Sequence, residues 1–213
     1  MFNLNDVCQK ILSEQMCIDL EHLKEKIESS DISSHASLVC EVIETLCGYV
    51  GSKNDDEVNA YCISVMGKLD KDSEPYFTID SIRMAFVRFI SGGLKDLFVY
   101  QENEAWYPKI ILNDILEPND IESLDKELTI FRGCDLSEFE SNQFGQSWTT
   151  SEKVAKDFAY VHYEGQDWFD LNKRVVVKAK YNKVDVFYSD QSEFGEYEIV
   201  VKPEKLYKIE KNT

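Results

Sequence analysis

Leu128-Thr129-Ile130-Phe131-Arg132-Gly133 marks the point at which the pattern of this chain changes. Before it, apolar residues recur at steps of three and four. From Glu127 onward they arrive in short runs rich in β-branched and aromatic side chains, the pattern of strands. The strand readings are 128–131, 174–179, 184–187, 197–201 and 206–209. One helix interrupts them over 151–159, with Ser151 as its N-cap and Val154, Ala155, Phe158 and Ala159 on one apolar face.

Working back toward the N-terminus, helical spacing covers 6–18, 18–27, 34–50, 57–69 and 80–90, with shorter helices expected over 94–100 and 109–116. Ser33, Ser34 and Ser37 offer N-caps for the third segment, and Ser91-Gly92-Gly93 should stop the fifth. The expectation is an α+β chain, a helical N-terminal half followed by a compact β-sandwich. Residues 1–75 are either a helical extension or part of one larger α-lobe, ahead of a domain over 76–213 with helices in 76–120 and a sandwich in 127–210.

Composition narrows the function classes. The 213 residues carry 23 Lys+Arg against 40 Asp+Glu, a net charge of −17. Such a field repels DNA, RNA and anionic membranes at long range. Up to Asp120 the count is 10 basic and 22 acidic residues (−12), and beyond it 13 and 18 (−5). The acid therefore concentrates in the helical half, a surface suited to a docking or inhibitory partner.

No apolar run reaches the roughly 20 residues of a membrane span. The start, Met1-Phe2-Asn3-Leu4-Asn5-Asp6, has no basic or apolar signal region, so action in the cytosol where the chain is made or delivered is expected. Cys8, Cys17, Cys40, Cys47, Cys62 and Cys134 form no CxxC pair, and with His22, His35 and His162 they give no metal-ligand spacing. Five of the six fall in apolar helical patterns, which reads as reduced, buried thiols.

Three short motifs carry chemistry. In Phe131-Arg132-Gly133 an arginine fork closes an apolar strand. That is either a surface residue or a bidentate grip for a diphosphate, which Gly133 would let approach the backbone. In Gly145-Gln146-Ser147-Trp148-Thr149-Thr150-Ser151, alternation puts the Ser147 and Thr149 hydroxyls on one face, either as a polar strand end or as ligand-orienting groups. In Glu196-Tyr197-Glu198, the same alternation sets two carboxylates roughly 6–7 Å apart ahead of Ile199-Val200-Val201. They form either a solvated face or an acidic site.

In this order and spacing the three motifs resemble the mono-ADP-ribosyltransferases of the arginine–serine–glutamate class, including the toxin-like members of bacteria and phages. The resemblance spans 127–210, about two fifths of the chain. It departs from the family pattern at Trp148 and Thr149, which stand for the central Thr and second Ser of its Ser-Thr-Ser strand. The helix that follows fits the family's x-x-A-x-x-F form with Ala155 and Phe158.

The resemblance implies the split β-sandwich core of that family and NAD as substrate, with no metal. It implies Glu198, Glu196, Ser147 and Arg132 as catalytic residues. Arg132, Gly133, Ser147, Thr149, Phe158 and Glu198 would contact NAD. Glu198 would stabilise the oxocarbenium-like ribose, and Ser147 would hold Glu198. Glu196 would act on an arginine acceptor. A target-recognition loop is implied over 188–195 with Phe194 exposed, and Tyr163, Trp168 and Phe169 would lie in a loop over nicotinamide.

Other classes remain open: transfer to RNA or DNA in a toxin–antitoxin or phage-defence setting, NAD hydrolysis, and a non-catalytic binding module of the same fold. The nucleic-acid alternative draws on the basic clusters Lys173, Arg174, Lys178, Lys180 and Lys183, and Lys202, Lys205, Lys208 and Lys211.

Overall fold

In the first half, helix bounds follow from where apolar side chains and capping groups fall. Val39, Val42, Ile43 and Leu46 recur at three and four residues along α3 (Ala36–Cys47), and all are buried. The other helices are α1 (Asp6–Lys10), which continues into a five-residue π segment (Ile11–Gln15), α2 (Leu20–Glu28), α4 (Asp55–Met66) and α5 (Glu74–Val99). Asn5, Asp19 and Ser73 cap α1, α2 and α5 by accepting backbone N–H bonds with their side chains. None of the three serines expected to cap α3 does so; its N-cap is His35, preceded by a 3-10 turn over Ser33–His35.

The computed structural model describes residues 2–52, 54–101, 105–192 and 195–212. Two compact units emerge, Met1–Ile111 and Leu112–Thr213. The first unit groups residues 1–75 with α5, whose first turn contains 75/76 and which packs on α3 and α4. Within α5, Gly93 takes a left-handed φ of 71° and breaks the helical path, where the sequence placed a stop between two segments.

No helix forms over 109–116. Residues 109–111 run extended instead, with an Ile18–Ile110 bridge and 2.8 Å bonds from Asp19 N–H to Lys109 O and from Ile111 N–H to Cys17 O. Their backbone groups find partners in another segment, so an apolar run too short to be helical settles as a strand-like edge. The cysteines also depart from expectation. Cys8 and Cys47, 39 residues apart, form a disulfide, while Cys17, Cys40, Cys62 and Cys134 are free and buried. Linear spacing gave no indication that α1 and the end of α3 meet. Among the described residues no helix is long and apolar enough to cross a membrane.

The second unit is built on six strands: β1 (Glu127–Asp135), β2 (Ser147–Thr149), β3 (Arg174–Asn182), β4 (Tyr188–Asp190), β5 (Glu198–Val200) and β6 (Tyr207–Lys211). They hydrogen-bond in the order β4-β5-β2-β1-β3-β6, with every neighbouring pair antiparallel. The α+β class is as expected. The strands expected to stack as a sandwich instead form one hydrogen-bonded order. It has a weak seam, because the β1–β2 ladder contains the single pair Phe131–Thr149. The run 184–187, expected as a strand, begins in a 3-10 turn (Lys183–Asp185), and pairing starts only at Tyr188.

One sheet face packs Ile130, Cys134, Trp148, Val177 and Ile199 into the main core, covered in part by Leu136 and Phe139 of α6 (Leu136–Ser141). The other face carries Phe131 and Val176 against Ala155 and Ala159 of α7 (Glu152–Tyr160), the helix foreseen after Ser151. Ser151 caps it, its side chain accepting from the Val154 N–H. Gly133 is what allows α7 to lie so close. A Cβ there would collide with the Ala155 carbonyl oxygen and the Ala159 amide nitrogen. The space above Gly133, expected to admit a ligand, is filled by helix backbone.

Candidate functional site

Ladder register assembles the site. Asp190 pairs with Glu198, Glu198 with Thr149, and Thr149 with Phe131, so these four residues form one row across β4, β5, β2 and β1. Partners in a row share a face. The adjacent row on that face holds Tyr188, Val200 and Ser147. Ser147, Thr149 and Glu198, three of the residues singled out from the sequence, are therefore brought together beside α7.

Glu198 is half-buried, and its carboxyl accepts a hydrogen bond from the Ser147 hydroxyl. Burial is the main reason its pKa rises to about 7. The Ser147 bond opposes the rise, and the like charges of Glu196 and Asp190 add to it. A carboxyl in this state changes charge near neutrality, where a general acid, a general base or an electrostatic stabiliser is useful.

Glu196 reaches the site differently from the alternation expected. Tyr197 sits at φ 52°, in the left-handed region, and β5 begins only at Glu198, so Glu196 lies on the approach to the strand. Two bonds hold that approach against β2: Thr149 Oγ1 donates to Glu196 O at 2.7 Å, and Thr150 N–H donates to Tyr197 O at 3.0 Å. The residue surface of Glu196 is open to solvent, yet surrounding protein raises its carboxyl pKa, with the charge of His162 acting the other way. Thr149 Oγ1 also accepts from Ser151 N–H at 3.0 Å, so this hydroxyl locks strand to helix.

Arg132 stands apart. Its register partner is Val177 of the main core, which puts it on the opposite face of β1 from Phe131 and Gly133. Its Nε and Nη2 donate to Glu138 Oε2 at 3.0 and 2.9 Å, and its Nη1 donates to Ser147 O at 2.7 Å. Three of the five N–H donors of the guanidinium are thus held by protein. In this arrangement Arg132 braces the backbone that presents Ser147.

Phe158 on α7 begins a run of rings: Phe158–His162 at 4.7 Å, His162–Tyr163 at 4.7 Å and Tyr163–Trp168 at 5.1 Å between centroids. Trp168 also meets Phe169, and the Arg174 guanidinium lies over Tyr163 and Phe169. Trp168 remains 51% exposed, a large apolar surface for a side chain of this kind. In the expected recognition loop over 188–195, Tyr188, Ser189 and Asp190 are strand β4, and Phe194 lies outside the described residues.

Three contributors escaped the sequence reading. Asp190 is one, Glu138 another. Gln191 is the third: its N–H donates to Asp120 Oδ2 at 2.7 Å, its Nε2 to Glu198 O at 3.1 Å, and its Oε1 accepts from Thr150 Oγ1 at 2.6 Å. All three act through cross-strand or helix-to-strand contacts, which along-chain patterns do not encode. No group of three or more His, Cys, Asp and Glu among the described residues is placed to hold a metal ion. No protein-family model, curated protein or solved structure matches the chain.

Proposed function

We propose that the chain is an NAD-dependent mono-ADP-ribosyltransferase, with protein arginine as its acceptor. The observation that carries this reading is Glu198, a carboxyl sheltered from water and held by the Ser147 hydroxyl, with Glu196 beside it. Ionised, Glu198 would stabilise the positive charge that develops on the nicotinamide ribose as the glycosidic bond breaks. Nicotinamide would leave with the bonding electron pair. A guanidinium nitrogen of the acceptor would then bond to the anomeric carbon and release its proton to Glu196. The raised pKa of Glu196 suits a proton acceptor.

Arg132 serves this reading by fixing β2 through its bond to the Ser147 carbonyl. Ser147 and Thr149 place the two glutamates, while Phe158 and the rings after it give an aromatic wall for a flat ligand. Gly133 contributes by letting α7 close on the sheet. The acidic helical unit, Met1–Ile111, offers a docking surface for a basic partner, and the cytosol remains the place of action we favour.

The basic strand favours protein over nucleic acid as acceptor. Lys178, Lys180, Lys183 and Lys173 each have a carboxylate within 3.2–3.6 Å: Glu210, Glu127, Glu122 and Asp170 respectively. Paired in this way, they offer little free positive charge to a phosphate backbone.

The test is incubation of the full chain with NAD and an arginine-bearing protein, following free nicotinamide and modified acceptor separately. Glu198→Gln should lower nicotinamide release by at least roughly 100-fold, as removal of a transition-state charge partner does. Glu196→Gln should abolish transfer while preserving NAD hydrolysis. Wild-type nicotinamide release by Glu198→Gln would remove the assignment.

A further inference from the structure

Asp190 closes β4 directly opposite Glu198. Opposed residues of an antiparallel pair have Cβ atoms about 4.5–5.5 Å apart, and like charges in that position destabilise the pair. The surroundings nevertheless fix Asp190 firmly. Its carboxylate accepts from Ser192 N–H at 3.0 Å, and the next residue, Gln191, is tied to Asp120, Ser189, Thr150 and the backbone of Glu198. A Cβ on Gly195 would come within 3.4 Å of Asp190 Oδ1, so the chain folds back closely over this carboxylate.

The charged and titratable groups around Glu198 come from several elements. Asp190 faces it from β4, and Glu196 from the segment ahead of β5. The hydroxyls of Ser147 and Thr149 face it from β2, and His162, just past α7, acts on Glu196. The guanidinium of Arg132 is engaged by Glu138 and the Ser147 carbonyl.

We propose that Asp190 is a positioning residue of this site, which by like-charge opposition across the β4–β5 ladder favours the protonated form of Glu198, adding to the effect of its burial. This rests on the reading of Glu198 as the carboxylate that faces the ribose. Below neutrality the pair then holds less negative charge and admits an anionic dinucleotide more readily. Above it, Glu198 is ionised and can stabilise the cationic transition state. The pH at which the site becomes active is thus adjusted from a neighbouring strand, on top of the larger effect of burial.

The experiment is direct titration of the Glu198 carboxyl in the full chain carrying 13C-labelled glutamate, in the wild type, Asp190→Asn and Asp190→Glu. Nicotinamide release from NAD is recorded over the same pH range. The Glu198 midpoint should fall in Asp190→Asn, by less than it falls in Glu196→Gln, and Asp190→Glu should restore it. The acid limb of the rate profile should move with the midpoint.

An unchanged midpoint in folded Asp190→Asn would overturn the proposal. Asp190→Ser, equally neutral and smaller, answers the same question if the Asn variant does not fold. A midpoint that moves in a chain that never releases nicotinamide would sustain the carboxyl pair and defeat the transferase reading.

Discussion

The two units differ in the titratable groups they bury. The helical unit buries thiols: burial raises the pKa of Cys17, Cys40 and Cys62, the last to about 12. A neutral thiol behaves as a small hydrophobe, so its burial carries little penalty. The sheet unit buries a thiol too, Cys134, but it also shelters carboxyls, and burial is the first cause of the rise at both Glu196 and Glu198. The two units carry similar numbers of acidic residues, 19 in Met1–Ile111 and 21 in Leu112–Thr213, yet both of these sheltered carboxyls lie in the second. Asp55, Asp56 and Glu57 sit in the first turn of α4, where the helix dipole favours negative charge. Where a carboxyl sits, and not how many there are, separates a solvated acidic surface from a candidate site.

The largest expected effect tests whether the sheet unit depends on the close fit of α7. Gly133→Ala would drive a methyl group into helix backbone, which cannot swing aside as a side chain can. A loss of about 4 kcal/mol is expected in denaturant unfolding, at the upper end for single substitutions. A loss under about 1 kcal/mol would mean that α7 is loosely seated.

Next comes Glu198→Gln, read as stability against pH. The folded-state pKa of about 7 lies above the ordinary 4.5, so the folded chain holds the proton more tightly than the unfolded chain does. That contribution is complete below about pH 4.5 and is lost as pH rises through about 7. The Gln variant should therefore be more stable than wild type by about 2 kcal/mol at pH 8, with most of the gain lost by pH 5 and none left well below 4.5. Equal stability at pH 8 would erase the contrast between the units. The smallest effect belongs to Cys62→Ala, expected to cost about 1 kcal/mol, with no pH dependence between pH 5 and 8.

How much was legible in the sequence depended on the range of the interaction. Ser151 and the face of Ala155 and Ala159 announced α7 because capping and helical periodicity act within a few residues. The runs containing Ile130 and Val177 announced β1 and β3 for the same reason. The proximity of Ser147 and Glu198 followed only from motif order.

Asp190 had no local signature, since its importance comes from a partner eight residues away across a ladder. Glu138 stood in an unforeseen short helix, and its hold on Arg132 gives that arginine a bracing role no strand pattern would assign. Glu196 was singled out by residue type. Its expected alternation with Glu198 failed because Tyr197 adopts left-handed backbone, which a β-rich sequence does not advertise. The pairing of Cys8 with Cys47 was hidden likewise, since helix-to-helix proximity over 39 residues leaves no mark in spacing.

The single rung between Phe131 and Thr149 has a mechanical consequence. A ladder of several rungs resists rotation between its strands, whereas one rung acts as a pivot, here stitched by the bond from Arg132 to Ser147 O. β4 lies three strand spacings from β1, and each spacing is about 4.8 Å, so a tilt of roughly 10° at the pivot would carry β4 through roughly 2 Å. Ser147, Glu198 and Asp190 would travel together on that leaf, while Phe131, Gly133 and Val176 would stay with the other. Any movement at this shortest ladder would therefore carry the acidic residues with it.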